Sequence, residues 1–190
     1  MACTVERLAR RLESRKRRRH ARGAARLAVR LCRRFGADPA KGRLAALAHD
    51  LARELPGQRL LELAGGDGAP IRSWELERPV LLHGRAAAEL LRRKGVTADP
   101  EVLQAVADHV TGRPGMGLLA RIVFVADYLE PGRRFVDRRW RAALLALKLD
   151  EMLAGVLESV FGWLNREGLP IAPPARRLYE ELTGHAAQKA

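Results

Sequence analysis

The chain reads as an all-α protein, and three observations carry that prediction. Alternating apolar and polar residues are scarce along its 190 residues, whereas apolar residues three and four apart recur over most of the length. Asp38-Pro39 and Asp99-Pro100 are helix starts: a side-chain acceptor at the N-cap, then the residue that loses nothing by lacking an N–H in the first turn. Gly36 and Pro131-Gly132 fall where apolar stripes end, as helix stops do.

Taken in order, the elements are these. From His20 onward, Ala24, Leu27, Leu31 and Phe35 share one face, and Gly36 closes that helix. Asp38-Pro39 opens the next, which runs through Leu44, Leu47 and Ala48 to His49-Asp50. Pro56 opens a short helix that ends at Gly65-Gly66-Asp67-Gly68, a glycine turn without the Lys-Ser/Thr that a phosphate-binding loop requires. After Asp99-Pro100, Val102, Val106 and His109 follow on one stripe. A glycine-rich turn from Thr111 to Gly117 precedes an apolar helix from Leu118 to Leu129. Helices from Asp137 to Leu149 and from Asp150 to Arg166, a proline-rich loop and a short C-terminal helix complete the order. No repeat or low-complexity linker interrupts it, so one domain is expected over residues 1–190, with its core from about 17 to 180 and a short polar tail holding His185.

Composition bounds the function. Hydrophobic residues make up 47% of the chain, enough for a sizeable core. Two cysteines, Cys3 and Cys32, are too few for a disulfide framework and point to a reducing compartment. Met1 to Arg7 lacks the apolar centre of a secretion signal, and no apolar run is long enough to span a bilayer, so a cytoplasmic location is expected. The net charge of +13 favours polyanionic partners, although Ala, Leu, Gly and Arg are enriched together and an arginine-rich genome explains the charge equally well. The run Arg15-Lys16-Arg17-Arg18-Arg19 is either an electrostatic funnel for polyphosphate or RNA, or a solvated helix face; no aromatic residues interleave with it to stack nucleobases.

The chemistry lies in the histidines and aspartates. His20, the pair His49-Asp50, His83, His109 and Asp127 are spread along the helical frame. His49-Asp50 and His109 end helices, and Asp127 is embedded in Ile122-Val123-Phe124-Val125-Ala126-Asp127-Tyr128-Leu129. A carboxylate there is costly to bury unless it is paired or coordinated. One such histidine is ordinarily a satisfied core residue; the set, with a His-Asp dipeptide within it, suits a divalent transition metal.

These residues resemble the HD superfamily of metal-dependent phosphohydrolases. The strings Leu47-Ala48-His49-Asp50-Leu51-Ala52-Arg53, Leu81-Leu82-His83-Gly84, His109-Val110-Thr111-Gly112-Arg113-Pro114-Gly115-Met116 and Ala126-Asp127-Tyr128-Leu129-Glu130-Pro131-Gly132-Arg133 are similar to its YqeK branch, symmetrical hydrolases of diadenosine tetraphosphate. The resemblance implies a single all-helical HD domain in which His20, His49, Asp50 and Asp127 hold iron or a similar ion, with manganese, cobalt or zinc as alternatives. His83 and His109 then either complete a second metal site or bind phosphate. Arg17, Arg53 (where the branch has lysine), Thr111, Gly112 and Arg133 are expected at the substrate, as is the loop carrying Pro170, Ile171 and Ala172. A threonine usual just beyond that loop is absent, with Pro174 and Ala175 in its place. The implied activity is hydrolysis of diadenosine tetraphosphate to two ADP, with His49 and Asp50 at its centre. Alternatives are another HD-type hydrolase of deoxynucleotides, nucleoside triphosphates or guanosine alarmones, and a non-catalytic basic module that binds RNA. A homodimer is compatible with all of these.

Overall fold

The computed structural model describes residues 2–184, with side chains from Thr4 onward; His185 lies outside the described residues. Among the described residues there is no strand. Helices α1 (Ala2–Leu12), α2 (Arg15–Phe35), α3 (Pro39–Ala48), α4 (Gly57–Ala64), α5 (Ser73–Glu77), α6 (His83–Arg93), α7 (Pro100–Asp108), α8 (Leu118–Leu129), α9 (Arg138–Ala146), α10 (Leu149–Arg166) and α11 (Pro173–Thr183) follow one another through short turns. None is long and apolar enough to cross a membrane.

Local chemistry accounts for most boundaries. Asp38 accepts from the amides of Ala40 and Lys41, and Asp99 from those of Glu101 and Val102, so the two Asp-Pro pairs cap α3 and α7. Gly36 closes α2 with φ of 80°. Ser14 accepts from the Arg17 amide, which starts α2 at Arg15 and brings the basic run into the helix. Two expectations shift: α2 begins five residues ahead of His20, and Leu149 opens α10 instead of ending α9, because Glu151 reaches back to the Lys148 amide and starts a new helix there. Helix α5 starts as α10 does, with Glu75 accepting from the Arg72 amide at 2.8 Å, whereas α6 has no side-chain cap at its start.

Packing brings the helix ends together. The buried face of α2 (Ala24, Leu27, Ala28, Leu31) lies against α3 and α8, and α7 packs on α3, α6 and α8. The other face of α8 supports α10, which carries α11. One continuous apolar core runs from Val5 to Leu178. The α6–α7 crossing is close: a Cβ on Gly84 would sit 2.6 Å from the Ala107 carbonyl oxygen, so only glycine fits. That crossing sets the first residue of α6, His83, beside the residue that ends α7, His109.

Candidate metal centre

Five helices deliver one polar group each, or two, to a single point. His20 comes from α2, His49 and Asp50 from the C-terminal end of α3, His83 from the start of α6, His109 from the end of α7 and Asp127 from the last turn of α8. His49, Asp50, His83 and His109 are buried, and His20 and Asp127 are partly so. The four expected ligand residues, and with them His83 and His109, therefore converge.

The tautomers are dictated by second contacts. His49, His83 and His109 each direct Nδ1 at the carbonyl three residues earlier: Ala46 at 2.7 Å, Val80 at 2.6 Å and Val106 at 2.7 Å. A carbonyl only accepts, so Nδ1 carries the proton and the Nε2 lone pair faces inward. Glu130 does the same for His20, its Oε1 lying 3.1 Å from Nδ1 while its Oε2 accepts from the Gly132 amide at 2.7 Å. Gly23 makes room for that carboxylate, since a Cβ there would lie 2.2 Å from Glu130 Oε2.

Four lone pairs then meet in two pairs. Nε2 of His20 and His49 are 3.2 Å apart, and Nε2 of His83 and His109 are 3.1 Å apart. Neither pair holds together without a cation between its nitrogens, whether proton or metal. Asp50 stands between the pairs. Its Oδ2 is 3.5 Å from His49 Nε2 and 3.9 Å from His20 Nε2; its Oδ1 is 3.3 Å from His83 Nε2 and 3.9 Å from His109 Nε2. Asp127 Oδ1 closes the first group at 2.7 Å from His20 Nε2 and 3.4 Å from His49 Nε2. Ligand atoms about 3 Å apart are what bonds of about 2.0–2.2 Å to a common ion impose. One ligand atom from each of His20, His49 and Asp50 lies within 4.8 Å of the others, and the same holds for His49, His109 and Asp127, and for Asp50, His83 and His109. This His/Asp cluster fits a divalent metal site.

Electrostatics agree with a demand for cationic charge. Burial by itself drives the Asp50 and Asp127 carboxyls up, but the charge and hydrogen bonds of His49 and its neighbours outweigh it and hold both well below the ordinary range. Burial likewise disfavours a charged His49, yet Asp50 and Asp127 raise it well above the usual imidazole value. His109, buried and beside His49 and His83, is pushed down to about 3. The cluster thus keeps its carboxylates ionised and His109 neutral, as metal ligation requires, while the two carboxylates draw positive charge onto His49, a proton that a metal would displace.

The basic residues divide. Arg17 Nη1 reaches Asp50 Oδ2 at 2.8 Å, and Arg133 Nη2 lies 2.5 Å from Asp127 Oδ1 and 3.2 Å from His20 Nε2. Arg53, His83, Thr111, Pro170 and Ala172 line a pocket of about 220 Å³ whose apolar wall includes Phe124, Phe161 and Trp163. Gly112 and Ile171 do not line it. Gly112 turns the chain with φ of 66° and is packed so tightly that a Cβ would meet Leu178 at 2.5 Å; Ile171 packs against the core. On the other side of the cluster, His20, Arg17, Glu130 and Arg133 belong to the wall of a groove of about 890 Å³.

Two buried glutamates have surroundings that the sequence does not reveal. Glu130 orients His20 across 110 positions of sequence; it stands in the string from Ala126 to Arg133 that carries the family resemblance, but nothing local assigns it that role. Glu13 is 5% exposed and neither of its carboxylate oxygens has a hydrogen-bond partner; burial raises it from 4.5 to about 7.

Comparison with known proteins agrees with this geometry. Residues 17–132 match the family model of the HD domain. The chain is 31% identical over 163 residues to the symmetrical bis(5'-nucleosyl)-tetraphosphatase of Bacillus subtilis, covering 86% of this chain and 87% of that one. It is also 31% identical over 169 residues to the protein of the same name from Halalkalibacterium halodurans, with the same coverage. A crystal structure from Clostridium acetobutylicum, described as a predicted HD superfamily hydrolase involved in NAD metabolism, superposes with a TM-score of 0.89 at 28% identity, covering 97% of each chain. The chain belongs to the HD-domain superfamily, in the branch whose curated members are named symmetrical bis(5'-nucleosyl)-tetraphosphatase.

Proposed function

We propose that the protein is a metal-dependent hydrolase that adds water across the central phosphoanhydride of diadenosine tetraphosphate and releases two ADP. The observation that carries this reading is Asp50, with one carboxylate oxygen turned to each histidine pair. Such a carboxylate would serve two ions, with His20, His49 and Asp127 holding one and His83 and His109 the other. The ligand set is equally suited to iron, manganese, cobalt or zinc; iron is the choice that the family resemblance favours. The continuous core supports reading residues 17–180 as one HD-type domain.

When bound, such ions supply Lewis-acid relief of phosphoryl charge and a nucleophile at neutral pH. The chain's own groups supply the rest. Arg17 and Arg133, each on a carboxylate ligand and each bordering the groove, offset the negative charge of a polyphosphate entering it. Arg53 does so from the pocket side, and the apolar wall of Phe124, Phe161 and Trp163 beyond it suits a nucleobase. Thr111, Pro170 and Ala172 border that space and would fix the nucleotide's position. The leaving group is a nucleoside diphosphate, already a weak base, so a site rich in ligands and cations needs no strong general acid. The bond broken is a P–O bond of the central bridge, and the water's oxygen goes to one of the two phosphorus atoms.

His49→Ala and Asp50→Ala test this reading. Each is expected to lose bound metal and hydrolysis together. Full turnover of diadenosine tetraphosphate by either purified variant would refute it.

A further inference from the structure

The groove on the His20 side of the cluster has features that metal binding does not use. It runs along α2, where Lys16, Arg19 and Arg26 line it; Arg15 and Arg22, with Arg19 and Arg26 at helical spacing and all four exposed, line an adjoining hollow on the same helix. None of them, nor Lys16 or Arg134, has an ion-pair partner among the described residues. These unpartnered cations hold a strong positive field, and four of them, Lys16, Arg19, Arg26 and Arg134, line the same groove as His20 and Arg133.

The far wall of that groove is aromatic. Phe135 is 66% exposed, the most exposed of the large apolar residues described. It is held in place: its ring meets Tyr128 edge-on at 5.6 Å, Tyr128 meets Trp140 at 6.4 Å, and the Arg133 guanidinium lies 5.7 Å from the Phe135 ring centre. The next residue, Val136, is buried, and Arg141 donates to the carbonyls of Arg133 and Val136. An exposed ring on an anchored turn, beside a cationic groove, is a stacking platform with a phosphate track leading to it.

Resting on the function proposed above, we infer that this groove seats the second nucleoside diphosphate half of the substrate, with Phe135 stacking on its base and Arg19, Arg26 and Arg134 along its phosphates and ribose. The metal cluster lies between this groove, which it enters at His20, and the apolar pocket, which it enters at His83. A symmetrical cut needs the central bridge at the metals and one nucleoside on each side. The two sides differ in lining: a largely apolar pocket for one base and an arginine-lined groove for the other. The basic run of α2 is therefore part of a binding surface and not only a solvated helix face.

The test compares two substrates that share four phosphates and differ in whether a second base is present. Diadenosine tetraphosphate plus water yields two ADP; adenosine 5'-tetraphosphate plus water yields ADP and pyrophosphate. In Phe135→Ala, the ratio of kcat/KM for the first over the second is expected to fall about ten-fold, mostly through KM, as loss of one base–aromatic stack predicts. Phe135→Trp restores the ratio. An unchanged ratio in Phe135→Ala overturns the inference, as does a parallel fall on both substrates, which would show Phe135 acting only through Arg133. If the unaltered protein turns over neither compound, the proposed function itself fails and the inference with it.

Discussion

Glu130→Gln replaces one oxygen by an amide nitrogen, and the surroundings of Glu130 turn that small change into a large one. The two carboxylate oxygens accept from different donors, Oε1 from His20 Nδ1 at 3.1 Å and Oε2 from the Gly132 amide at 2.7 Å. A glutamine has only one accepting oxygen. Whichever way the amide turns, its NH2 faces an N–H at a position only 4% exposed. Losing a buried hydrogen bond to a charged acceptor costs about 1.5–3 kcal/mol. Loss of the group that orients a metal-bound histidine typically weakens binding about 10–100-fold, or roughly 1.4–2.7 kcal/mol, so the two estimates agree. Competition against a fluorescent chelator measures the affinity, and a thermal melt shows whether the variant is folded. A folded Glu130→Gln that binds metal within about two-fold of the unaltered protein would refute the assigned role of Glu130.

Further predictions rest on other contacts. Gly84→Ala places a Cβ 2.6 Å from the Ala107 carbonyl oxygen, so it should cost about 1–3 kcal/mol and lower Tm by roughly 3–10 °C, read by calorimetry; an unchanged Tm would contradict the close α6–α7 crossing. His83→Ala should lose about one equivalent of metal per chain while His20, His49 and Asp127 keep the rest, and elemental analysis decides it. Glu13 rises from 4.5 unfolded to about 7 folded, chiefly through burial, so the folded state favours its protonated form. Its share of stability is intact below about pH 4.5 and is lost as pH climbs to about 7. Relative to the unaltered protein, Glu13→Gln should therefore gain stability over that interval, by up to about 3 kcal/mol in denaturant titrations; parallel pH curves for the two would contradict a buried, unpaired carboxyl.

How much of this was legible in the sequence follows from how local each signal is. Asp38, Asp99 and Gly36 act on backbone groups within three or four residues, so α3, α7 and the end of α2 could be read directly. By contrast, α6 begins at His83 with no capping side chain, directly after a 3-10 turn, and its alanines are buried on several sides, which blurs the stripe. Helix α5 spans five residues, too short for any period to show. The candidate ligands stood out because ionisable groups in apolar frames are costly, as with Asp127. Their partition could not be read: which imidazoles pair, and that Asp50 lies between the pairs, depends on how α3, α6, α7 and α8 cross. Glu130 stayed hidden for the same reason, because its partner is on another helix. Gly112 and Ile171 show that a residue in a string of the family pattern can also be held by packing, Gly112 against Leu178 and Ile171 against the core.

The claim on which the rest depends is symmetrical cleavage at the His/Asp cluster, and product identity decides it. Protein stripped of metal, then reloaded, is incubated with diadenosine tetraphosphate and the nucleotides are separated by ion-exchange chromatography. The structure and its relatives predict ADP as the sole product, about two per substrate consumed, and none from the stripped protein. Equal amounts of ATP and AMP, or undiminished turnover without metal, would contradict it.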